Sequence, residues 1–434
     1  MNLINKTPKI LIVSLAFMVM ITFVGCSNNS TTNTSNTEKN TGDTSNKPTL
    51  KIAFLTDLSG GASLFGSYMN TVGRAVIEEI NREGIKGFSK IEVKTYDTRT
   101  DAATYVEQVN RAKFEDKMDI TWGDWVSTYI IPAVNQAQIP NVTNNPSGIK
   151  LMTDDNKFAI HVNGSSWEYG LAIAEFFKQN GVKKWAITGQ GWGEGWMHGY
   201  AEGIKAGLKG TDIVNVWDKE NPADQVDWTA EINAWKKLQP DAVVLPWPGD
   251  GTFSIIKQMK DSGFSPKYII VEQLWPGDYT VTTSALDKEY LLNLIAPSFT
   301  DLESPAYKEW IKKEQDIGYL PYGNSAEIWD GLHLIKVAAE AAGPEGVKDP
   351  QKFMDALKKA SFNGAMGYPI GPFRDNGTLE KVKVFLYQAV DGPPDWTNKF
   401  EHHWKKIFSF DIPKTTSYAE AVQLRPELEQ RLGK

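Results

Sequence analysis

The stretch KIAFLTDLSGGASLFGSYMNTVGRAVIEEINREGIKG, residues 51–87, sets the architecture. Its first part, Lys51 to Leu58, is a short apolar run, and Ser59, Gly60 and Gly61 then turn the chain. From Ser67 to Arg82 the residues Tyr68, Val72, Ala75, Val76 and Ile80 fall at helical spacing, which gives a helix with one apolar face. Strand, glycine turn and amphipathic helix make one βα unit. A strand that is apolar along its whole length has two faces to cover, so such a unit needs neighbours of its own kind.

The neighbours come downstream. Ile91 to Tyr96 alternates as a strand, and Asp101 stands where an N-cap belongs, ahead of a helix that runs to about Glu115. Ile120 to Trp122 reads as strand, Thr128 to Gln136 as helix and Asn141 to Thr143 as strand. The pattern then restarts with a helix from Tyr169 to Gln179, stopped by Gly181. After it come strand Lys184 to Thr188, helix Trp196 to Leu208, strand Ile213 to Trp217 and helix Thr229 to Leu238. Strand Ala242 to Pro246, helix Phe253 to Ser262 and strand Tyr268 to Val271 complete the second run. Repeated βα units imply an α/β fold of parallel sheets with helices on both faces, and two runs imply two similar lobes. Ligands of open α/β sheets sit beyond the carboxyl ends of the strands, so two lobes facing each other line one cleft.

The N-terminus bears on compartment. Lys6 and Lys9 precede an apolar run from Ile10 to Val24, about 15 residues. That is nearer a signal-peptide core than the ~20 residues of a membrane span. The run ends in Gly25-Cys26, and Cys26 is the single cysteine of the chain. A small residue followed by cysteine resembles the cleavage site of bacterial lipoproteins, although Phe23 stands where leucine is usual. Residues 1–26 are therefore expected to be a lipoprotein signal peptide, with Cys26 the point of lipid attachment. A lone cysteine also leaves no internal disulfide framework. Residues 27–49 hold no large apolar side chain and are expected to form a flexible tether.

The body, from about Leu50 to Lys434, is too long for one typical core. A net charge of −7 argues against nucleic-acid binding. There is no G-x-S-x-G elbow and no G-x-x-x-x-G-K-[ST] phosphate loop. The turn Gly189-Gln-Gly-Trp-Gly-Glu-Gly195 imitates a dinucleotide fingerprint, but its third glycine position is Glu194 in one register and Trp196 in the other. A bulky side chain there blocks the close helix–strand packing that the fingerprint needs. The histidines, His161, His198, His333, His402 and His403, form no pair at metal-binding spacing. No catalytic residue, metal or cofactor is expected.

Six segments, in order, resemble the branched-chain amino-acid (leucine/isoleucine/valine-binding) type of periplasmic binding protein. They are KIAFLTDLSGGASLFG, IEEINREGIKG, DTRTDAATYVEQVNR, IPNVTNNPS, GWGEGW and MGYPIGPFRDNGTL. The resemblance covers about Lys51 to Tyr387. It implies two Rossmann-like lobes joined by three crossovers, placed near His161 to Gly164, Pro297 to Phe299 and Gly371 to Arg374. Lobe one is then residues 50–162 plus 299–372, lobe two 163–298 plus 373–395, and 396–434 a C-terminal tail packed across the hinge side.

The resemblance also implies a ligand grip in three parts. Hydroxyls and backbone N–H groups of lobe one, at Ser127, Thr128, Asn145 and Ser147, match the positions that hold an α-carboxylate. Free N–H groups and the dipole at a helix start favour an anion there, though Ser127 also suits an ordinary N-cap. Glu272, after the apolar strand YIIV, matches the acid that pairs with an ammonium. Phe65 and Trp192 match aromatic wall positions. Trp122, Trp125, Trp247, Trp275 and Trp329 fall at strand ends or loops expected near the cleft, among 15 Trp in all. Indoles stack on flat rings and attract quaternary ammonium groups, so the ligand class is wider than branched aliphatic amino acids.

The expected function is extracytoplasmic capture of a small amino acid or related zwitterion for an ABC permease and ATPase complex. The protein is expected to act as a monomer, lipid-anchored at the outer face of the cytoplasmic membrane. Aromatic acids or quaternary amines are the alternative ligands. A ligand-binding component of a sensor is the alternative role, and a secreted enzyme is disfavoured for want of a nucleophile–base pair or metal cluster.

Overall fold

The computed structural model describes residues 47–123, 127–143, 148–190, 195–222, 225–246, 250–272, 288–318, 325–392 and 402–432. The chain divides into two units, Met1–Asp43 and Thr44–Lys434, and all described residues belong to the second.

The opening stretch forms β1 (Leu50–Thr56) and α1 (Ser63–Glu83). β1 is buried on both faces: Ile52 and Phe54 enter one apolar core, while Ala53 and Leu55 enter another. This is the period-two geometry of a strand sandwiched between helices. The next elements are β2 (Ile91–Asp97), α2 (Ala102–Asn110), β3 (Ile120–Trp122), α3 (Ser127–Ala137), β4 (Asn141–Thr143) and β5 (Ala159–His161). Asp101 caps α2 through its side chain, which accepts the Thr104 N–H at 2.8 Å. The helical run reaches Glu115 as expected, its last turn, Arg111–Glu115, being π-helical. These strands form a five-stranded parallel sheet in the order β2-β1-β3-β4-β5.

The second run gives α4 (Ser166–Gln179), β6 (Lys184–Gln190), α5 (Trp196–Gly207), β7 (Val214–Asn221) and α6 (Thr229–Leu238). It continues with β8 (Ala242–Leu245), α7 (Asp250–Asp261), β9 (Tyr268–Val271), α8 (Lys288–Leu291) and β10 (Leu294–Ser298). Helices α9 (Pro305–Asp316), α10 (Ser325–Val347, broken at Gly343) and α11 (Pro350–Lys359) come next, and α10 packs against α1 and β4 of the first sheet. A small ribbon of β11 (Phe362–Asn363) and β12 (Pro369–Ile370) precedes β13 (Val382–Asp391) and β14 (His402–Ile412). The second sheet has the order β14-β13-β10-β9-β8-β6-β7, parallel from β7 to β10 and antiparallel beyond.

The segment expected to be a tail is thus partly sheet. Trp404, Phe408, Phe410 and Ile412 recur at even positions, a strand-like spacing, and β14 pairs with β13 on both sides of a bulge at Ile407. Two short helices, α12 (Tyr418–Leu424) and α13 (Glu427–Arg431), come after β14 at the end of the described chain.

The chain passes between the sheets three times, after β5, after β10 and before β13. The three passages meet. His161 donates its N–H to the Gly377 carbonyl at 2.8 Å, tying the first to the third. Gly164 lies so close to the second that a Cβ there would stand 2.6 Å from Phe299 Cε1, and 3.4 Å from Val382 Cγ2 of β13. Only glycine fits that junction without displacing a ring.

Candidate functional site

Strand order reverses between β1 and β3 in the first sheet and between β6 and β8 in the second. Those reversals open crevices beyond the strand ends, where connections leave toward opposite faces. Ser127, Thr128 and Glu272 lie within a few positions of such an end or of its neighbour, and Phe65 lies in the helix to which β1 leads.

In the first sheet the loop after β1 is organised by Asp57, which is fully buried. Its carboxylate accepts the N–H groups of Ser59 at 3.2 Å, Gly60 at 2.5 Å and Ala62 at 2.7 Å, and the Thr100 hydroxyl. The loop closes on that carboxylate, so α1 begins at Ser63 and Phe65 sits in its first turn, half-buried against the main core. Sequence reasoning passed over Asp57. The signal was available: an aspartate ahead of Ser-Gly-Gly is the pattern of a side chain folding back on the next N–H groups of the chain.

Ser127 is buried and is the first residue of α3; its Oγ lies 3.4 Å from Thr143 Oγ1 at the end of β4. Thr128 comes next, half-buried. The first N–H groups of a helix have no intrahelical partner. Two hydroxyl residues in that turn, with a third hydroxyl from the next strand, therefore form a hydroxyl-rich corner among the described residues. Between strands β4 and β3, Asn141 donates from Nδ2 to Thr121 Oγ1 at 2.9 Å, and both are buried.

In the second sheet Glu272 comes directly after β9 and is 5% exposed, its N–H donating to the Leu245 carbonyl at 3.1 Å. Near it stands an aromatic group that the sequence reading did not assemble. Tyr169 of α4 packs on Tyr200 of α5 at 5.6 Å between ring centroids, and Trp196 lies 5.7 Å from Tyr200 and 6.4 Å from Tyr169. Phe299, from the second passage, stacks on Tyr169 at 4.1 Å. Desolvation pushes the Tyr200 phenol well above its usual range, and the negative charge of Glu272 pushes it further. Glu272 thus acts on a neutral, water-poor aromatic cluster that is itself buried in the main core. The signal for Trp196 and Tyr200 was their spacing of four on one helix.

Trp122 is not a cleft residue. It is fully buried in the core beneath β1 and α1, with its ring 4.4 Å from Phe54, and a Cβ on Gly73 would lie 2.9 Å from it. A three-residue strand buried on both faces gave it no outward direction. Trp329 belongs to α10 and stacks on the His333 ring at 3.5 Å. Trp125, Asn145, Ser147, Trp192, Trp247 and Trp275 lie outside the described residues, as does Cys26. Among the described residues no group of three or more His, Cys, Asp or Glu is placed to hold a metal ion, and no helix is long and apolar enough to cross a membrane.

A family model described as "Periplasmic binding protein" matches residues 49–393. The fold is similar to that of solved proteins. One is the branched-chain amino-acid transporter substrate-binding protein LivJ from Streptococcus pneumoniae, in complex with isoleucine. It is 18% identical, with 84% of this chain and 99% of that chain covered and a TM-score of 0.68. An amino-acid ABC transporter substrate-binding protein from Pseudomonas fluorescens Pf-5 is 14% identical, covers 86% and 98%, and gives a TM-score of 0.72. A solute-binding protein of an ABC transporter from R. palustris, in complex with 4-hydroxybenzoate, is 19% identical, covers 86% and 99%, and gives 0.68.

Proposed function

We infer the function from one premise: the chain belongs to the periplasmic binding protein family, and is an extracytoplasmic solute-binding protein of the ABC-importer type, not an enzyme. On that premise we propose that it captures a small amino acid or related zwitterion between its lobes and presents it to a permease and ATPase complex. Ser127 and Thr128, with Asn145 and Ser147, hold the carboxylate; Glu272 holds the cationic end; Phe65, Trp125, Trp192, Trp247 and Trp275 wall the ligand. Lipid on Cys26 keeps the protein at the outer face of the membrane.

The observation that carries this reading is the difference in charge between the two strand-end faces. Lobe one offers hydroxyl groups at a helix start, and lobe two offers a buried carboxylate, Glu272, beside a buried aromatic cluster. An anionic group suits the first and a cationic group the second. A second reading, an aromatic acid, is supported by the 4-hydroxybenzoate bound to the R. palustris neighbour and by the indoles the sequence supplies at positions 125, 192, 247 and 275.

Thermal-shift screening with L-amino acids, glycine betaine and hydroxybenzoates tests the proposal. A ligand at 100 times its dissociation constant stabilises the folded state by about 2.7 kcal/mol. Stabilisation by an amino acid or betaine supports the zwitterion; stabilisation by hydroxybenzoates alone replaces it with the aromatic acid.

A further inference from the structure

The C-terminal helices build a small apolar core of their own, and it draws on both lobes. Tyr418, Ala421 and Leu428 of the tail are buried together with Ile149 and Met152, which come after β4 of the first sheet, and with Trp167 of α4, which belongs with the second. Leu171, Ala206, Val422 and Leu432 pack around it. The tail thus lies between two surfaces from different lobes. It also lies beyond residue 393, where the family match ends.

The two attachments differ in kind. On lobe two, α13 is held by charge. Arg431 donates to Asp218 through both terminal nitrogens at 2.7 Å, and to Glu202 at 2.9 Å; Arg425 donates to Glu202 at 2.8 Å. Lys205 completes the group, at 2.8 Å from Glu202 and 2.7 Å from Asp218. The Glu202 side chain is fully buried, so these are not loose surface pairs. Leu432 adds contact with the start of α5: Gly195 has φ of 74°, and a Cβ there would be 2.7 Å from Leu432 Cδ2. On lobe one the tail is held by apolar contact and by a backbone bond from the Tyr418 N–H to the Met152 carbonyl at 2.8 Å. Between them the tail is pinned beside the passages. Thr415 donates its N–H to the Glu380 carbonyl at 3.0 Å, Arg374 pairs with Glu420 at 2.9 Å, and the Thr416 N–H meets Glu168 at 2.8 Å.

We propose that the segment Thr415–Leu432 is a strap across the hinge: clamped to lobe two by Arg425 and Arg431, it holds lobe one at Met152 and so restricts how far the lobes move apart. Three covalent passages alone permit bending and twisting. A bridging segment with its own buried core removes part of that freedom, and its weaker end, at Tyr418 and Met152, is where it slips when the lobes do move. In sequence the attachment points stand close to positions of the proposed ligand grip, Asn145 and Ser147 before Ile149, and Trp192 before Gly195.

The test needs no ligand. The full chain carrying Cys26→Ser receives one cysteine per lobe, Glu107→Cys and Lys237→Cys, both at exposed positions. Spin labels on these two report the inter-lobe distance distribution. Pairs within a lobe, Glu107→Cys with Lys90→Cys and Lys237→Cys with Lys209→Cys, serve as controls. Arg425→Ala with Arg431→Ala, and separately Tyr418→Ala, should at least double the width of the inter-lobe distribution and leave the within-lobe distributions unchanged. An unchanged inter-lobe distribution in a folded Tyr418→Ala chain overturns the proposal, as does equal broadening within a lobe. Should the double arginine variant fail to fold, Tyr418→Ala decides alone, because it leaves no buried charge unpaired. A Tyr418→Ala chain that does not fold makes the tail part of a single core and also overturns the strap.

Discussion

Replacing Glu272 by glutamine separates the two ligand readings. The side chain is 5% exposed and its charge reaches the buried Tyr200 phenol, so an ammonium brought to it leaves water almost completely. Two unit charges 4 Å apart attract by about 4 kcal/mol at an effective dielectric constant of 20, which is a ceiling before the ammonium's own desolvation is subtracted. A hydrogen bond to a charged group is worth about 1.5–3 kcal/mol net, or roughly a 10- to 150-fold change in affinity. Glutamine keeps the shape and an acceptor oxygen but removes the charge. Calorimetric titration of both proteins, with the compound that gives the largest thermal shift, should therefore show a loss of at least tenfold if that compound carries a cationic nitrogen. The unliganded variant should melt at the same temperature or higher, because a buried charge has been removed. For a hydroxybenzoate the same substitution removes a like charge and should leave binding unchanged or slightly tighter. Equal affinity of both proteins for an amino acid or betaine would refute the role given to Glu272.

The geometry sets three further outcomes. Burial raises the Glu314 carboxyl to about 8 and that of Asp330 to about 7, so their contribution to stability is complete below pH ~4 and is lost as pH rises through those values. Buried His161 and His333, both pushed down to about 4, act in the opposite sense only below their ordinary 6.5; urea unfolding should therefore show stability falling from pH 6.5 to 8.5. Glu314→Gln, which keeps an acceptor for the Tyr68 hydroxyl, should flatten that slope by up to about 1.4 kcal/mol per pH unit. Gly164→Ala forces Phe299 aside at the junction of the passages, and urea unfolding should show a loss of about 1–3 kcal/mol. Cys26→Ser should abolish lipid attachment, releasing the protein from membranes or leaving it unprocessed; an unmodified Cys26 in the membrane-bound form, read by intact mass, would refute the anchor.

The fold was legible because its signals are local. The apolar runs at Lys51 and Tyr268, the helix spacing from Tyr68 to Ile80, the cap at Asp101 and the stop at Gly181 each act within one element, and each element forms where they stand. Strand β14 was equally local, since Trp404, Phe408, Phe410 and Ile412 alternate, but it is separated from the βα pattern by three helices and joins the sheet antiparallel. A pattern that predicts parallel neighbours gives no reason to look for it. The π-helical turn at Arg111 depends on how α2 meets its surroundings, which spacing does not encode.

The site was less legible for a different reason. Trp122 and Trp196 are both indoles at strand or helix ends, yet one fills the core between β1 and α1 while the other joins the aromatic group near Glu272. What separates them is the direction of a side chain relative to a second element, Phe54 and Gly73 in one case and Tyr169 and Tyr200 in the other. Most of those partners stand dozens of positions away or across a passage between sheets. Asp57 shows the converse: its buried carboxylate holds the loop that leads to Phe65, through N–H groups within five positions of itself. Local hydrogen-bond chemistry thus fixes where the helix after β1 begins, whereas long-range packing decides which large side chains fill the core. A change of ligand class within this scaffold can accordingly come from a few aromatic substitutions at strand ends, with the Asp57 loop, the Ser127 helix start and the Gly164 junction left as they are.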